Sequence, residues 1–132
     1  MEWVTDLTGK TVGLDTAPLI YFFEEHPDYL DAVRCFFEAM DKDEIMVVSS
    51  TVTLLEVLVH PLRNSNNELA TEYRDILLHS NLITQEISGA IAEEAARLRA
   101  FHNLRTPDAI QIAAAAKKPY KNSRRIQLNS IL

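Results

Sequence analysis

Thr11-Val12-Gly13-Leu14-Asp15-Thr16-Ala17-Pro18 is the stretch whose reading decides the fold. Its first four residues read as a short buried strand. The next four read as the start of a helix, with Pro18 near the first helical position. That helix is predicted from Pro18 to about Glu25, and His26-Pro27-Asp28 breaks it. Tyr29–Asp41 reads as a second helix, because Leu30, Val33, Phe36, Phe37 and Met40 recur at intervals of three or four. The same alternation continues down the chain. Ile45-Met46-Val47-Val48 is a second strand, and Ser49-Ser50-Thr51 caps a third helix that contains Glu56 and ends around His60-Pro61. Asn67–His79 is a fourth helix, with Leu69, Tyr73, Ile76 and Leu77 as its buried stripe, and Leu82-Ile83-Thr84 is a third strand. Ser88 then caps a helix through Phe101, and Thr106-Pro107-Asp108 opens one that runs to about Lys117. Short apolar strands alternating with longer helices predict an α/β domain around a parallel sheet.

The 132 residues are enough for one domain with a real core, and we expect residues 1–132 to form a single one. A hydrophobic share of 47% with 24% charged residues is that of a globular chain and excludes a disordered one. The single cysteine, Cys35, lies within a predicted helix, so no disulfide framework can form and the thiol reads as buried and inert. Met1-Glu2-Trp3-Val4-Thr5-Asp6 has neither the basic start nor the apolar run of a signal peptide. The longest apolar stretch, residues 45–59, is interrupted by Ser49, Ser50, Thr51 and Glu56 and falls short of the roughly 20 residues that cross a bilayer. A cytoplasmic location is therefore expected, without a membrane partner. The net charge of −6 is unevenly placed: Lys117, Lys118, Lys121, Arg124 and Arg125 follow Ala116, and no acid does. A basic tail over residues 118–132 on an acidic body either touches a polyanion or is simply solvated.

Three carboxylates carry the functional reading. Asp15 ends an apolar strand, Glu56 lies inside an apolar helix, and Asp108 opens an alanine-rich one. Leaving a charge against apolar surface costs several kcal/mol, about that much even after relaxation, unless something compensates it. Converging acids would also repel one another, which protonation or a divalent cation relieves. Each acid has a plainer explanation as well. Asp15 is well placed to cap the helix that follows it, Asp108 suits the dipole of a first helical turn, and Glu56 could sit on an exposed edge.

Taken together, Val12-Gly13-Leu14-Asp15-Thr16, Leu54-Leu55-Glu56-Val57 and Leu104-Arg105-Thr106-Pro107-Asp108-Ala109-Ile110-Gln111-Ile112-Ala113 resemble PIN domains, and VapC-type toxins most of all. The resemblance runs from about Val12 to Ala116. It implies a three-layer α/β/α fold whose clustered acids, here Asp15, Glu56 and Asp108, bind Mg²⁺ or Mn²⁺ and cut RNA. It also implies a homodimer and a small antitoxin protein as partner. Hydrolysis of a phosphodiester needs a deprotonated water and a stabilised pentacovalent charge, and hard divalent ions on carboxylates supply both.

The chain departs from the family pattern at its end. A fourth acid is usual after the last helix, whereas Pro119-Tyr120-Lys121-Asn122-Ser123-Arg124-Arg125-Ile126 aligns Ser123 at that position and shortens the connection. A hydroxyl brings no charge to a metal, so weakened activity and truncated C-terminal strands are expected. The alternative is a catalytically inactive PIN-like module that binds RNA or a partner protein. His26, His60, His79 and His102 lack zinc-ligand spacing, and no phosphate-cradling glycine loop or G-x-S-x-G is present. Arg97, Arg99 and Arg105 either face RNA phosphate or lie on solvated surface.

Overall fold

The computed structural model describes residues 2–117. Three short strands, β1 (Thr11–Gly13), β2 (Met46–Ser50) and β3 (Ile83–Gln85), form a parallel sheet in the order β1-β2-β3. Between β1 and β2 run α2 (Thr16–Phe23) and α3 (Leu30–Asp41); between β2 and β3 run α4 (Thr51–Arg63) and α5 (Asn67–His79). The helices α6 (Gly89–Phe101) and α7 (Thr106–Ala116) follow β3, and a single turn, α1 (Glu2–Thr5), precedes β1. The result is the mixed α/β architecture that the alternating pattern predicts, since parallel neighbours need helical crossovers. Among the described residues no helix is long and apolar enough to cross a membrane.

The apolar interior is divided in two. The larger group joins Val47 and Leu82 of the sheet region to Leu19, Val33, Phe36, Phe37, Met40, Val57, Tyr73 and Leu77 from α2 to α5. The smaller one lies between α6 and α7 and consists of Ile91, Ala95, Ala109, Ala113 and Ala114. Period-two alternation along β2 explains why the strand serves both sides of the sheet: Val47 joins the larger group, whereas Ser50 reaches Gln111 of α7. The aromatic residues of α2 and α3 face the larger group. Phe22 lies 4.9 Å from Phe37 and Phe23 lies 5.2 Å from Tyr73, ring centre to ring centre. Their density therefore serves the core: none of the five aromatic side chains of these helices is exposed, and Tyr29, the N-cap of α3, is.

Several boundaries differ from the sequence reading, each for a local reason. The third helix does not stop at His60-Pro61. It runs to Arg63 with Pro61 buried inside it, because a proline in the last turn forfeits one hydrogen bond while its ring fills the apolar face. Ser50 occupies the N-cap position of α4, but its hydroxyl makes no capping bond and donates instead to Gln111 Oε1 at 3.5 Å. The last helix, for which the sequence offers Thr106 as cap and Pro107 as first residue, starts one residue earlier, with Arg105 as N-cap and Thr106 as its first residue. The one-turn α1 carried no periodic signal. Cys35 is half-buried. The 118–132 tail, Ser123 within it and the truncated strands expected there lie outside the described residues.

Burial pushes the Tyr73 phenol up to about 12, and the charges of Glu24 and Glu72 act in the same direction. The unfolded chain, with a phenol near 10, gives up this proton first. The folded state then holds more protons than the unfolded one, so the stabilisation is complete below pH ~10 and declines as pH rises towards ~12. We expect Tyr73→Phe to flatten that decline in urea midpoints measured across the range. A parallel decline in both proteins would locate the titration elsewhere.

Candidate metal and nucleic-acid site

The carboxyl end of β1 leads into α2 through Leu14 and Asp15. Leu14 N–H still donates to Val48 O at 2.9 Å, so the ladder continues one residue past the strand and fixes where Asp15 emerges. Asp15 then caps α2, its Oδ1 accepting from Thr16 N–H at 2.7 Å. The hydroxyl of Thr16 donates to Glu56 Oε1 at 3.2 Å, which ties the second acid to the first across 40 residues of sequence. Glu56 is exposed on α4, and so are its neighbours Leu55, Val59 and Leu62. Its apolar surroundings in the sequence are thus a surface stripe, and the charge meets solvent.

Asp108 arrives from the other side. It lies in the first turn of α7, and Arg105 holds both its oxygens, Nε on Oδ2 at 3.0 Å and a terminal nitrogen on Oδ1 at 3.2 Å. Asp108, Gln111, Ile112 and Ala115 fall at helical spacing and share a cleft of about 350 Å³ with Gly13, Leu14 and Asp15. Arg105 feels Asp108 above all. Its guanidinium is pushed up first by the hydrogen bond and charge of Asp108, then by Glu56 and Asp15.

Two devices hold α7 against the sheet. Gln111 accepts from Ser50 and donates through Nε2 to Thr53 Oγ1, which joins the helix to the end of β2 and the start of α4. Gly13 allows the backbone of β1 to approach: a Cβ placed there would meet Ala115 Cβ at 2.8 Å. At the far end of the same helix, Gln85 of β3 donates to Ala114 O at 2.6 Å and to Lys117 O at 3.1 Å, satisfying carbonyls that a helix end leaves open.

The donor chemistry suits a hard divalent cation, since carboxylate oxygens are what Mg²⁺ and Mn²⁺ prefer. Among the described residues, however, no three Asp, Glu, His or Cys side chains stand close enough together to grip one ion. The cation that answers Asp108 in this structure is the guanidinium of Arg105, while Asp15 and Glu56 are met by Thr16. Sequence reasoning named Arg105 only as a candidate for phosphate and missed Thr16 and Gln111 as positioning residues. The signal was present: Thr16 directly follows Asp15, Arg105 precedes Asp108 by three, and Gln111 follows it by three.

The PIN domain model matches residues 12–119. The chain belongs to the PIN domain family. PIN domains are commonly nucleases and typically use divalent metal ions, and the parallel sheet with its helices is the architecture expected of one. No curated protein and no solved structure matches the chain.

Proposed function

We propose that this PIN domain is a metal-dependent endoribonuclease of the toxin type, with Asp15, Glu56 and Asp108 as ligands of Mg²⁺ or Mn²⁺. The observation that carries the reading is that Asp15, at the carboxyl end of β1, and Asp108, in the first turn of α7, line one cleft, with Glu56 tied beside Asp15 through the Thr16 hydroxyl. An ion bound there would supply a water deprotonated at neutral pH and would counter the charge that develops on the phosphoryl oxygens. The chain's own residues do the positioning. Thr16 N–H fixes one oxygen of Asp15, the Thr16 hydroxyl fixes one oxygen of Glu56, and Gln111 holds α7 so that Asp108 faces the same cleft.

The narrower parts of the reading are a small antitoxin and the pairing of two copies. They are supported by the VapC-type resemblance, by the exposed stripe Leu55, Val59 and Leu62, and by a second cleft of about 330 Å³ whose lining mixes Phe22, Phe37 and Ile76 with Asp41, Glu72 and Asp75. The competing reading, an inactive module that binds RNA or a partner protein, is favoured by the double clamp on Asp108 and by the serine at position 123. Incubating the purified chain with single-stranded RNA in Mn²⁺, beside an EDTA control and a calorimetric Mn²⁺ titration, separates them. Metal-dependent cleavage with measurable uptake of the ion is expected. RNA retention without uptake or cleavage would hand the protein to the second reading.

A further inference from the structure

The charge of this chain changes sign along α6. Residues 1–94 carry eighteen acids against five basic residues, whereas residues 95–107 carry Arg97, Arg99 and Arg105 and no acid. An acidic body repels a polyanion, so among the described residues the end of α6 and its loop into α7 form the surface that a nucleic acid can approach. Phe101, the last residue of α6, stands on that surface. At 82% exposure it is the most exposed of the large hydrophobic side chains described. The stripe of α6 that packs on α7 is Ile91, Ala95 and Leu98, and Phe101 lies off it, one turn beyond Arg97. Packing within the hairpin therefore does not account for the ring. Lone exposed apolar residues are ordinary, but an aromatic ring among guanidinium groups is how proteins meet single-stranded nucleic acid.

We propose that Phe101 is a stacking platform for one base of a single-stranded RNA, with Arg97 and Arg99 as phosphate contacts beside it, on the side of the cleft where α7 begins. The inference rests on the RNA reading above and needs no bound ion. The loop between the platform and the cleft is braced at three points. His102 N–H donates to Leu98 O at 2.9 Å, Leu104 N–H to His102 O at 2.9 Å, and Arg99 Nε to Leu104 O at 3.1 Å. Four residues beyond Phe101 comes Arg105, which holds Asp108 in the wall of the cleft, so no more than about 15 Å of chain separates the ring from that clamp. The bond to Leu104 uses only Nε of Arg99, and among the described residues no hydrogen bond or ion pair takes its terminal nitrogens. Arg97 is paired with Glu94 at 2.9 Å, but both side chains are exposed and such a pair is worth little, so a phosphate can take the arginine over. Every base has a π face, so stacking here selects single strands without selecting a sequence, and the arginines position the backbone without reading it.

The test measures binding of a labelled single-stranded RNA of mixed sequence to the full chain in EDTA, at several salt concentrations. Because Arg97, Arg99 and Phe101 are exposed, variants at these positions are expected to fold. Phe101→Ala is expected to lose roughly fivefold to a hundredfold in affinity, the range for one base stacked on one ring. Phe101→Leu should lose nearly as much, since it keeps the apolar area without the π face, and Phe101→Trp should bind at least as well as the parent. Salt separates the two kinds of contact. Losing the ring should leave the slope of log affinity against log salt unchanged, whereas Arg97→Gln and Arg99→Gln should each lower it by about 0.7. Parental affinity in Phe101→Ala or Phe101→Leu would overturn the stacking role, and an unchanged slope in both arginine variants would overturn the phosphate contacts. Light scattering is expected to give Phe101→Ala the parental mass. A lower mass with RNA affinity kept would make this surface a contact between copies and overturn the proposal. A wild type that retains no RNA at any salt concentration would instead bring down the RNA reading itself, and this inference with it.

Discussion

Asp15→Asn is expected to lose RNA cleavage in Mg²⁺ by more than about a hundredfold, because replacing even an outer-shell partner of a metal commonly costs 10- to 100-fold and Asp15 is assigned to the ion itself. Its melting temperature should stay close to that of the parent. Asparagine caps a helix about as well as aspartate, so the bond from Thr16 N–H survives the change. The lost interaction with the dipole of α2 is offset by relief from the charges of Glu56 and Asp108 across the cleft. Asp15→Ala separates the two jobs of this side chain. It should be equally inactive, and it should also lose about 1 kcal/mol of stability with the cap, a drop of roughly 3–5 °C for a chain of this size. Cleavage by Asp15→Asn at the parental rate, with the EDTA-resistant background subtracted, would place the activity elsewhere.

Gly13→Ala should be the most damaging conservative change in the sheet. The new methyl would lie 2.8 Å from Ala115 Cβ, closer than two carbons can stand, and neither backbone can yield without moving β1 away from α7. Overpacking of this kind typically costs about 1–3 kcal/mol. Because Gly13 and Asp108 line the same cleft, the strain also spreads the acids, and activity should fall further than stability explains. Adding Ala115→Gly removes the opposing methyl, at a cost of about 1 kcal/mol for a glycine within a helix. The two changes should therefore be strongly non-additive in a urea-unfolding cycle, the double variant being more stable than Gly13→Ala alone. Additive losses would mean that the strand and the helix have room to spare.

Much of this architecture was legible because the relevant signals are local. The bounds of α5 follow from Asn66 and Asn67 at one end and the stripe through Leu77 at the other, and Ser88 caps α6 as its position suggests, its hydroxyl accepting from Ile91 N–H. The parallel sheet follows from β-then-α order alone. What escaped was decided across the fold. Whether Ser49 and Ser50 cap α4 depends on what else they meet, and they meet Leu14 O and Gln111. Pro61 reads as a helix stop until a buried face is there to receive its ring. Glu56 is the instructive case among the acids. Its helix is apolar on every side, so the sequence cannot say which apolar residues stay in solvent, and Glu56 shares the exposed face with Leu55, Val59 and Leu62. The ion pair of Arg105 with Asp108 could have been read from their spacing of three, had the helix start been placed one residue earlier.

The division of the interior into two groups has a consequence for how the protein fails when warmed. Asp15 and Glu56 stand on elements of the aromatic-rich group, while Asp108 stands on a helix pair sealed largely by alanines. Methyl groups bury little area, so the α6-α7 hairpin is expected to be the less strongly held unit and to open first in local fluctuations. Amides of that hairpin are expected to exchange with solvent ahead of those of α3 and α5, each opening carrying Asp108 away from the cleft it shares with Asp15. Any activity that depends on Asp108 is then expected to fade on warming before the protein unfolds, at temperatures where most of its backbone is still in place.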